Sequence, residues 1–476
     1  MSLSQALKWS FLAELAAKAI QPTVFVVLAR LLTPEDFGVM AAALMVISFS
    51  QIFWEAGMAQ ALIQRQTDVE DAANAAFWIN VALGAVVAAA LFLAASPIAV
   101  AVFHDARVAA VLQVMTVQVA LAAICAVHTA LLQKKMGFKQ LFWVRFATVG
   151  IPSIASIPLA WAGWGYWALV AGTLAGQAAQ AVVLWRASSW RPRWSFQVQV
   201  AREIGRFGAW VGISGLLAWF YLWADSFVLG LYLGSHDLGL YRTGSQFTEF
   251  VFACVFAPVA PVLYSHLART QSDAREITKA ADKIIRGLIA VGIPLAAVAF
   301  SLAPQIEATL FGAKWQGVGL VIGTMALMHG LSWIVGMNGE IYRAIGRPSL
   351  ETIVPATVLA VYLAAYIYAA RFGLEFFVWT RFALAAFAVC LHLAMIRKIL
   401  GVALLPVAGY LLRITLICAA VLFVVDGLIL QNVQGAWMQL LTGGIVAIAV
   451  IGAILFFLER NGLLKDIGRL MGRGVV

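Results

Sequence analysis

The stretch from Leu28 to Arg65 reads LARLLTPEDFGVMAAALMVISFSQIFWEAGMAQALIQR and contains a turn that starts a long apolar helix. Thr33 is suited to the N-cap position of that helix, and Pro34 to its first helical position. The acidic pair that follows favours the positive end of the helix dipole. We therefore predict an apolar helix over residues 34–62, with the turn before it ending an earlier helix.

The same turn recurs at an offset of 201 residues. Leu28–Gly38 reads LARLLTPEDFG and Leu229–Gly239 reads LGLYLGSHDLG. The apolar positions, the aspartate and the final glycine match between the copies. With six predicted helices between them, the offset favours two pseudo-symmetric six-helix lobes related by an axis along the membrane normal.

The composition of the whole chain is typical of a polytopic membrane protein. Of its 476 residues 63% are hydrophobic and only 11% are charged, whereas an ordinary soluble domain is roughly 25% charged. A membrane crossing needs about 20 apolar residues, so the apolar residues of this chain suffice for about fourteen crossings. We predict an all-α polytopic membrane protein with about 14 transmembrane helices, and the composition excludes a soluble globule.

The predicted helices divide the chain into four parts. Helices 1–6 form an N-lobe over residues 1–187, and helices 7–12 form a C-lobe over 208–398. Residues 188–207 form a cytoplasmic linker whose tryptophans and arginines suit the headgroup layer, with interfacial anchoring favoured over specific lipid recognition. Helices 13 and 14 and a basic cytoplasmic tail occupy residues 399–476.

The distribution of positive charge predicts the orientation. Cytoplasmic loops retain lysine and arginine, and most of the 32 basic residues lie between helices on the side of the N-terminus. We therefore predict a multi-pass protein with both termini in the cytoplasm. The basic residues of the opposite loops are Arg30, Arg107, Lys314 and Arg371.

Enzyme signatures are absent from the sequence. There is no GxxxxGK[ST], HExxH or GxSxG motif and no CxxC pair, so we expect no catalytic residue, no nucleotide, no cofactor and no metal site. The basic residues form no long tract of the kind that binds nucleic acid. Short predicted external loops disfavour a membrane polysaccharide polymerase or ligase, which stays the alternative from another class.

Ionisable groups at membrane depth are the candidate site. Each costs roughly 2.5–3.5 kcal/mol at a bilayer centre, so these groups should face a cavity or each other. We expect Lys18, Arg145 and Arg242 to contribute to a cationic cavity for a phosphate-bearing ligand. The alternatives are an ion pair of Lys18 with Glu14, snorkelling of Arg145 to a surface, and direct pairing of Arg242 with Asp225.

Aromatic residues bunch in predicted helix 7. Trp219, Tyr221 and Trp223 lie near its middle. Aromatic faces suit sugar rings, although interfacial belts use the same residue types. Their central position favours a cavity wall.

Three segments carry a family resemblance. Leu28–Arg65, Gly137–Lys139 (GFK) and Gly163–Leu169 (GWGYWAL) are similar to segments of the polysaccharide transporter family, the Wzx-like oligosaccharide flippases of the multidrug/oligosaccharidyl-lipid/polysaccharide exporter superfamily. The turn LTPEDFG is the most specific of these features. Chain length, helix number and the lack of a large extramembrane domain agree with the resemblance.

The resemblance implies a V-shaped bundle of two six-helix lobes plus two C-terminal helices. It implies movement of undecaprenyl-pyrophosphate-linked oligosaccharide units to the periplasmic leaflet by alternating access, for capsule, O-antigen or exopolysaccharide assembly. A bacterial inner membrane location follows, with membrane lipids, a polysaccharide polymerase and chain-length machinery as partners. A cation-coupled multidrug exporter of the same fold is the alternative.

Without a nucleotide site, the energy for transport would come from an ion gradient or from removal of product outside. A carboxyl group at membrane depth can carry a coupling proton, because burial disfavours its charged form. The candidates for ion coupling are Asp225, Glu249 and Glu14.

Overall fold

The structure, a computed structural model, describes residues 20–55, 57–195, 198–256, 274–347 and 349–459. Within these ranges the regular elements are helices, without a β-strand. The α-helices of seven residues or more are α1 (Ile20–Leu31), α2 (Pro34–Glu55), α3 (Met58–Gln64), α4 (Val69–Ala101), α5 (Arg107–Lys134), α6 (Phe138–Trp161), α7 (Tyr166–Ala187), α8 (Val198–Phe256), α9 (Ala274–Ser301), α10 (Val318–Ser332), α11 (Asn338–Ala344), α12 (Leu350–Ala369), α13 (Leu374–Leu400), α14 (Leu404–Val425) and α15 (Ala436–Glu459).

Eleven of the described helices are long and apolar enough to cross a membrane. One of them is α8, whose 59 residues far exceed the roughly 20 that a single crossing needs. Two further apolar helices, Ile20–Leu31 and Thr357–Phe372, are shorter. The predicted all-α polytopic membrane fold is confirmed, whereas the number of fourteen crossings stays a prediction.

Gly234 divides α8 into two limbs. Its backbone (φ 81°, ψ −175°) is not helical, and a positive φ of this size favours glycine because other residues clash there. The two limbs lie side by side, since Tyr241 Oη donates a hydrogen bond of 2.7 Å to Asp225 Oδ2. The two helices predicted for this region therefore form a hairpin that reverses at a single glycine.

A second glycine interrupts the helix predicted over residues 34–62. The structure ends α2 at Glu55, and Gly57 (φ 67°) precedes α3. A Cβ atom at Gly57 would lie 2.4 Å from Cβ of Val211, in the first limb of α8. The break therefore lets the chain pass close to α8, and periodicity alone does not reveal it.

Packing divides the chain into two compact units, one up to Arg242 and one from Thr243 onward. The first unit thus contains α1–α7, the first limb of α8 and the start of its second limb up to Arg242. Its helices α6 and α7 pack closely, because Gly172 and Gly176 lie against Ser156 and Pro152. The predicted lobe boundaries at residues 187 and 208 stay predictions.

The two copies of the repeated turn lie against each other in the first unit. A Cβ atom at Gly38 would lie 1.7 Å from the carbonyl oxygen of Ser235, and one at Gly239 would lie 1.8 Å from that of Pro34. Pro34 and Ser235 are equivalent positions of the repeat, and so are the two glycines. The contact is therefore reciprocal, as around a local two-fold axis. We call it the repeat junction.

Polar groups surround the repeat junction. Glu35 Oε1 and His236 Nδ1, which are again equivalent positions, lie 2.6 Å apart. Asp36 Oδ2 accepts hydrogen bonds from the backbone N–H (3.0 Å) and the hydroxyl (3.1 Å) of Thr33. Its other oxygen accepts one from the backbone N–H of Tyr166 at the start of α7 (2.9 Å). Asp36 therefore joins the start of α2 to the start of α7.

The described part of the predicted linker lies on the start of α4. The Arg193 backbone N–H donates to Asn74 Oδ1 (2.9 Å), and its guanidinium forms an ion pair with Glu70 (2.9 Å). Trp194 stacks on Trp78 with ring centroids 3.9 Å apart. These contacts hold the linker against the first unit.

In the second unit, α9 packs on α10 and α14. Gly292 and Gly330 let α9 and α10 approach closely, since a Cβ at Gly292 would lie 3.2 Å from the Gly330 carbonyl oxygen. Glu307 Oε2 accepts hydrogen bonds from the backbone N–H groups of Gly317 (3.1 Å) and Gly319 (2.6 Å). A carboxylate at that position stabilises the N-terminus of α10.

Replacing Gly38 or Gly239 with alanine should lower the free energy of unfolding by about 1–3 kcal/mol, because the new methyl group must displace a backbone carbonyl. Gly150 is the matched control: it lies in α6, and no heavy atom lies within 4 Å of its Cβ position. Gly150→Ala should be neutral or stabilising by up to about 1 kcal/mol. Thermal unfolding of the purified variants measures both effects, and an unchanged Tm for Gly38→Ala would contradict the close contact.

Candidate functional site

Arg242, on the second limb of α8, is half-buried and belongs to a polar cluster within a helical segment apolar enough to cross a membrane. The carbon at the centre of its guanidinium lies 4.2 Å from the centroid of the Trp223 ring. One guanidinium nitrogen lies 3.5 Å from the hydroxyl oxygen of Ser226. Both groups are neutral, so they stabilise the cation without cancelling its charge. This arrangement suits an anionic ligand.

Ser226 connects Arg242 to Asp225. The Ser226 hydroxyl donates to Asp225 Oδ1 (3.0 Å), and its backbone N–H donates to the same oxygen (2.5 Å). Tyr241 donates to the other carboxylate oxygen. Asp225 and Ser226 are 4% and 0% exposed, so the carboxylate is held inside the protein by three donors. The contact expected between Asp225 and Arg242 thus runs through a serine hydroxyl.

The hairpin at Gly234 explains why these residues meet. Ser226 lies about two helical turns before Gly234 and Arg242 about two turns after it, which puts both roughly 12 Å from the reversal. Since the hydrocarbon core is about 30 Å thick, a hairpin that reverses at the membrane surface carries the cluster into the apolar region. We call the group of Trp223, Asp225, Ser226, Tyr241 and Arg242 the Arg242 cluster.

The three predicted aromatic residues do not share one surface. Trp219 is buried, donates from Nε1 to Ser48 Oγ (3.0 Å) and packs edge-on against Phe49. Trp223 lies one turn further along the same face of the helix. Tyr221 is 59% exposed, because two residues rotate a helix by about 200°. Trp219 and Trp223 therefore share one face of the first limb of α8, and Tyr221 lies on the opposite face.

The other predicted site residues lie apart from these contacts or outside the described ranges. Arg145 is exposed on α6, and Glu249 is exposed on the second limb of α8. Lys18 and Glu14 lie outside the residues that the structure describes. The roles of all four stay predictions.

Sequence reasoning missed Ser226, Tyr241 and Ser48. A signal for the first two exists: Asp225-Ser226 and Tyr241-Arg242 are adjacent pairs placed almost symmetrically about Gly234. That symmetry becomes informative only when the chain is known to reverse there. No comparable signal in the sequence points to Ser48.

Asp105, in the loop between α4 and α5, ties that loop to the repeat junction. It accepts hydrogen bonds from Arg107 Nη2 (2.7 Å) and from the hydroxyl of Ser235 (2.7 Å). Burial is the largest influence on the pKa of Asp105 and raises it. The hydrogen bonds from Arg107 and Ser235 together outweigh burial, so the pKa lies below its ordinary value of 3.8.

The sequence profile of the polysaccharide biosynthesis protein family matches residues 27–319, more than half of the chain. The chain belongs to this family. The match contains both copies of the repeated turn and the whole Arg242 cluster. The resemblance to polysaccharide transporters that was predicted from Leu28–Arg65 is confirmed.

Two relatives extend this family assignment. The chain is 25% identical over 323 residues to the succinoglycan biosynthesis transport protein ExoT of Rhizobium meliloti (strain 1021), covering 68% of this chain and 65% of ExoT. It is 22% identical over 361 residues to the teichuronic acid biosynthesis protein TuaB of Bacillus subtilis (strain 168), covering 75% of this chain and 74% of TuaB. The chain thus spans slightly less than two thirds of ExoT and about three quarters of TuaB.

A solved structure of the lipid II flippase MurJ in an inward closed conformation has the same fold. The two superpose with a TM-score of 0.76 over 96% of this chain and 99% of MurJ, at 13% sequence identity. At that identity the likeness concerns the fold alone. It nevertheless extends over nearly the whole of both chains, so the family member described here has a MurJ-like helix arrangement.

Replacing Asp105 with asparagine should destabilise the protein at neutral pH by about 1 kcal/mol, because the hydrogen bonds from Arg107 and Ser235 lose their charged acceptor. A lowered folded-state pKa means that this stabilisation is present above about pH 4 and is lost as the pH falls through the folded pKa. The difference in Tm from wild type should therefore stay constant between pH 5 and 8 and shrink below about pH 4. Asp68→Asn, at an exposed position before α4, serves as control, and a pH-independent difference would contradict this role of the carboxylate.

Proposed function

We propose that this protein is a flippase that moves a lipid-linked oligosaccharide, carried on undecaprenyl pyrophosphate, from the cytoplasmic to the periplasmic leaflet. The product would serve assembly of a surface polysaccharide such as capsule, O-antigen or exopolysaccharide. One observation carries the proposal: a member of the polysaccharide biosynthesis family holds Arg242 at membrane depth with neutral contacts, Trp223 and Ser226.

The names of the relatives support the lipid carrier as the part of the substrate that these proteins recognise in common. ExoT and TuaB are named for the biosynthesis of two different polymers, so members of one family serve different sugar sequences. A lipid pyrophosphate is the part that such substrates can share. Its negative charge is also the part that hydrocarbon excludes most strongly.

The Arg242 cluster has the chemistry that a pyrophosphate requires. A guanidinium offers five N–H donors in a planar fork, which matches phosphate oxygens. The stacking of Arg242 on Trp223 orients the fork, and the marginal hydrogen bond to Ser226 uses only one donor. Binding there would lower the cost of bringing the phosphate groups into the membrane, while the polyprenyl tail stays in lipid. Trp223, which is half-buried, would supply an apolar face to the first sugar, and the buried Trp219 would support it from behind.

We propose an alternating-access mechanism for this transport. The N-lobe (residues 1–187) and the C-lobe (208–398) of a V-shaped bundle would rearrange about the bound headgroup, with residues 399–476 added as two further helices. Lys18 and Arg145 would complete the cationic cavity. The MurJ-like fold supports this proposal, because it supplies the helix arrangement in which two matched halves can move.

A location in the bacterial inner membrane, with both termini in the cytoplasm, completes the proposal. The excess of lysine and arginine on one side supports this orientation. The interaction partners would be membrane lipids, the lipid-linked substrate, and a polysaccharide polymerase with its chain-length machinery, which removes product outside. The protein itself would act as a transporter and not as an enzyme, without nucleotide, cofactor or nucleic acid.

Of the candidates for ion coupling, Glu249 fits best. The three hydrogen bonds to Asp225 suit a fixed carboxylate that organises Ser226. Glu249 is exposed on its helix, so a proton or sodium ion could reach it. Glu14 is a further candidate by its predicted depth.

Two alternatives make different demands on the same site. A cation-coupled multidrug exporter would bind cationic drugs, which the guanidinium of Arg242 repels. A membrane polymerase or ligase would form glycosidic bonds, which an assay of glycosyl transfer with the purified protein detects. Neither alternative explains an arginine held by neutral groups at membrane depth.

Replacing Arg242 with alanine should lower transport by about 10- to 100-fold, because a hydrogen-bonded charge contributes about 1.5–3 kcal/mol. Arg242→Lys should retain part of the activity, since it keeps the charge and loses the planar fork. The measurement is translocation of a lipid-linked oligosaccharide in proteoliposomes. In cells, accumulation of undecaprenyl-linked repeat units reports the same loss.

Arg413→Ala is the matched control for this experiment, since Arg413 is an exposed arginine inside α14. It should transport like wild type. Both variants should insert into the membrane in normal amounts. Full transport by Arg242→Ala would remove the proposed role of the cluster in headgroup binding.

Replacing Glu249 with glutamine should abolish the response of transport to an imposed pH or sodium gradient, while slow downhill movement continues, because the amide cannot take up or release an ion. Initial rates in proteoliposomes with and without each gradient measure this response. Glu340→Gln, an exchange at a surface glutamate paired with Arg343, is the control. Wild-type transport that ignores both gradients would eliminate ion coupling and leave removal of product as the driving force.

A further inference from the structure

An apolar groove runs along the second unit and contains no residue of the Arg242 cluster. It has a volume of about 1050 Å³ and lies between α9, α10, α13 and α14. Aliphatic, aromatic and small side chains make up most of its surface. Representative lining residues are Ala297, Leu327, Phe382, Ala419 and Phe423.

The groove has the length of one membrane leaflet. Along α10 its lining extends from Gly319 to Leu331, a rise of roughly 18 Å at 1.5 Å per residue. Half of a hydrocarbon core of about 30 Å is roughly 15 Å. A single acyl chain that enters from one surface would therefore extend along the groove to about the bilayer centre.

Two acidic side chains line one end of the groove. Glu307 and Asp426 line it there, where α9 and α14 end and α10 begins. Glu307 is bound to the backbone N–H groups of Gly317 and Gly319. Asp426, in the helical turn that follows α14, is exposed. A headgroup at this end would meet the carboxylate of Asp426.

We propose that this groove binds one acyl chain of a phospholipid whose headgroup carries an ammonium group, as phosphatidylethanolamine does. The ammonium group would lie against Asp426, in the leaflet that the predicted orientation makes the outer one. The same carboxylate disfavours a lipid whose headgroup is anionic, such as phosphatidylglycerol or a prenyl pyrophosphate. The lipid would hold α14 against α9 and α10 and so stabilise the second unit.

The test uses the full-length purified protein and two lipids with identical chains, phosphatidylethanolamine and phosphatidylglycerol. Native mass spectrometry counts retained lipid, and thermal unfolding reports stabilisation. Wild type should retain phosphatidylethanolamine about 2- to 5-fold better, the range of an exposed ion pair. Asp426→Asn should lose this preference and still bind both lipids. Glu375→Gln, which changes an exposed acid at the start of α13 that does not line the groove, should keep the preference.

Variants that fill the groove test the acyl-chain site itself. Ala297→Trp should abolish retention of both lipids. If that variant does not fold, Ala419→Phe, at an exposed lining position, replaces it and should cause the same loss. Val291→Trp places the same bulk on α9 at a side chain that is 43% exposed and outside the lining, and should retain lipid normally. Equal retention of the two lipids by wild type, unchanged retention in both filled variants, or displacement of the lipid by undecaprenyl phosphate would overturn the proposal.

Discussion

The contact of Gly38 and Gly239 with backbone carbonyl groups is the constraint on which the first unit depends. Because neither glycine has a side chain, the starts of α2 and of the second limb of α8 come together at van der Waals distance. The first limb of α8 then lies along α2, which puts Trp219 beside Ser48. The fold reverses at Gly234, next to this contact. The repeat junction therefore also sets the position of the Arg242 cluster along the two limbs of α8.

The separation of opposite charges within that cluster has a physical consequence for binding. If Arg242 and Asp225 were in direct contact, each would neutralise the other, and an anion would gain little from approaching. With the Ser226 hydroxyl between them, the carboxylate is satisfied by neutral donors. The guanidinium keeps its charge on the side of Trp223. A cation at membrane depth is energetically costly, and the contacts of Arg242 with the Trp223 ring and the Ser226 hydroxyl reduce that cost.

The features that the sequence predicts well are those decided by local chemistry. Thr33 and Asp36 form the expected start of α2, with the Thr33 hydroxyl accepting from the Asp36 N–H, and the apolar composition predicts the series of long helices. Ser226 was missed because its role depends on a reversal at one glycine backbone. The orientation of Tyr221 away from Trp219 follows from helix periodicity, and its role in substrate binding stays a prediction. Lys18 lies outside the described residues, and its position in the cavity stays a prediction.

Glu35 and His236 are equivalent positions of the repeat that meet each other at the repeat junction. If the halves arose by duplication of an ancestral segment, that ancestor placed one residue type against its own copy there. Two glutamates at 2.6 Å would repel each other, and so would two protonated histidines. An acid facing a base removes this conflict. The difference between the two copies at this position therefore lets the close contact of the repeat junction form without repulsion between like charges.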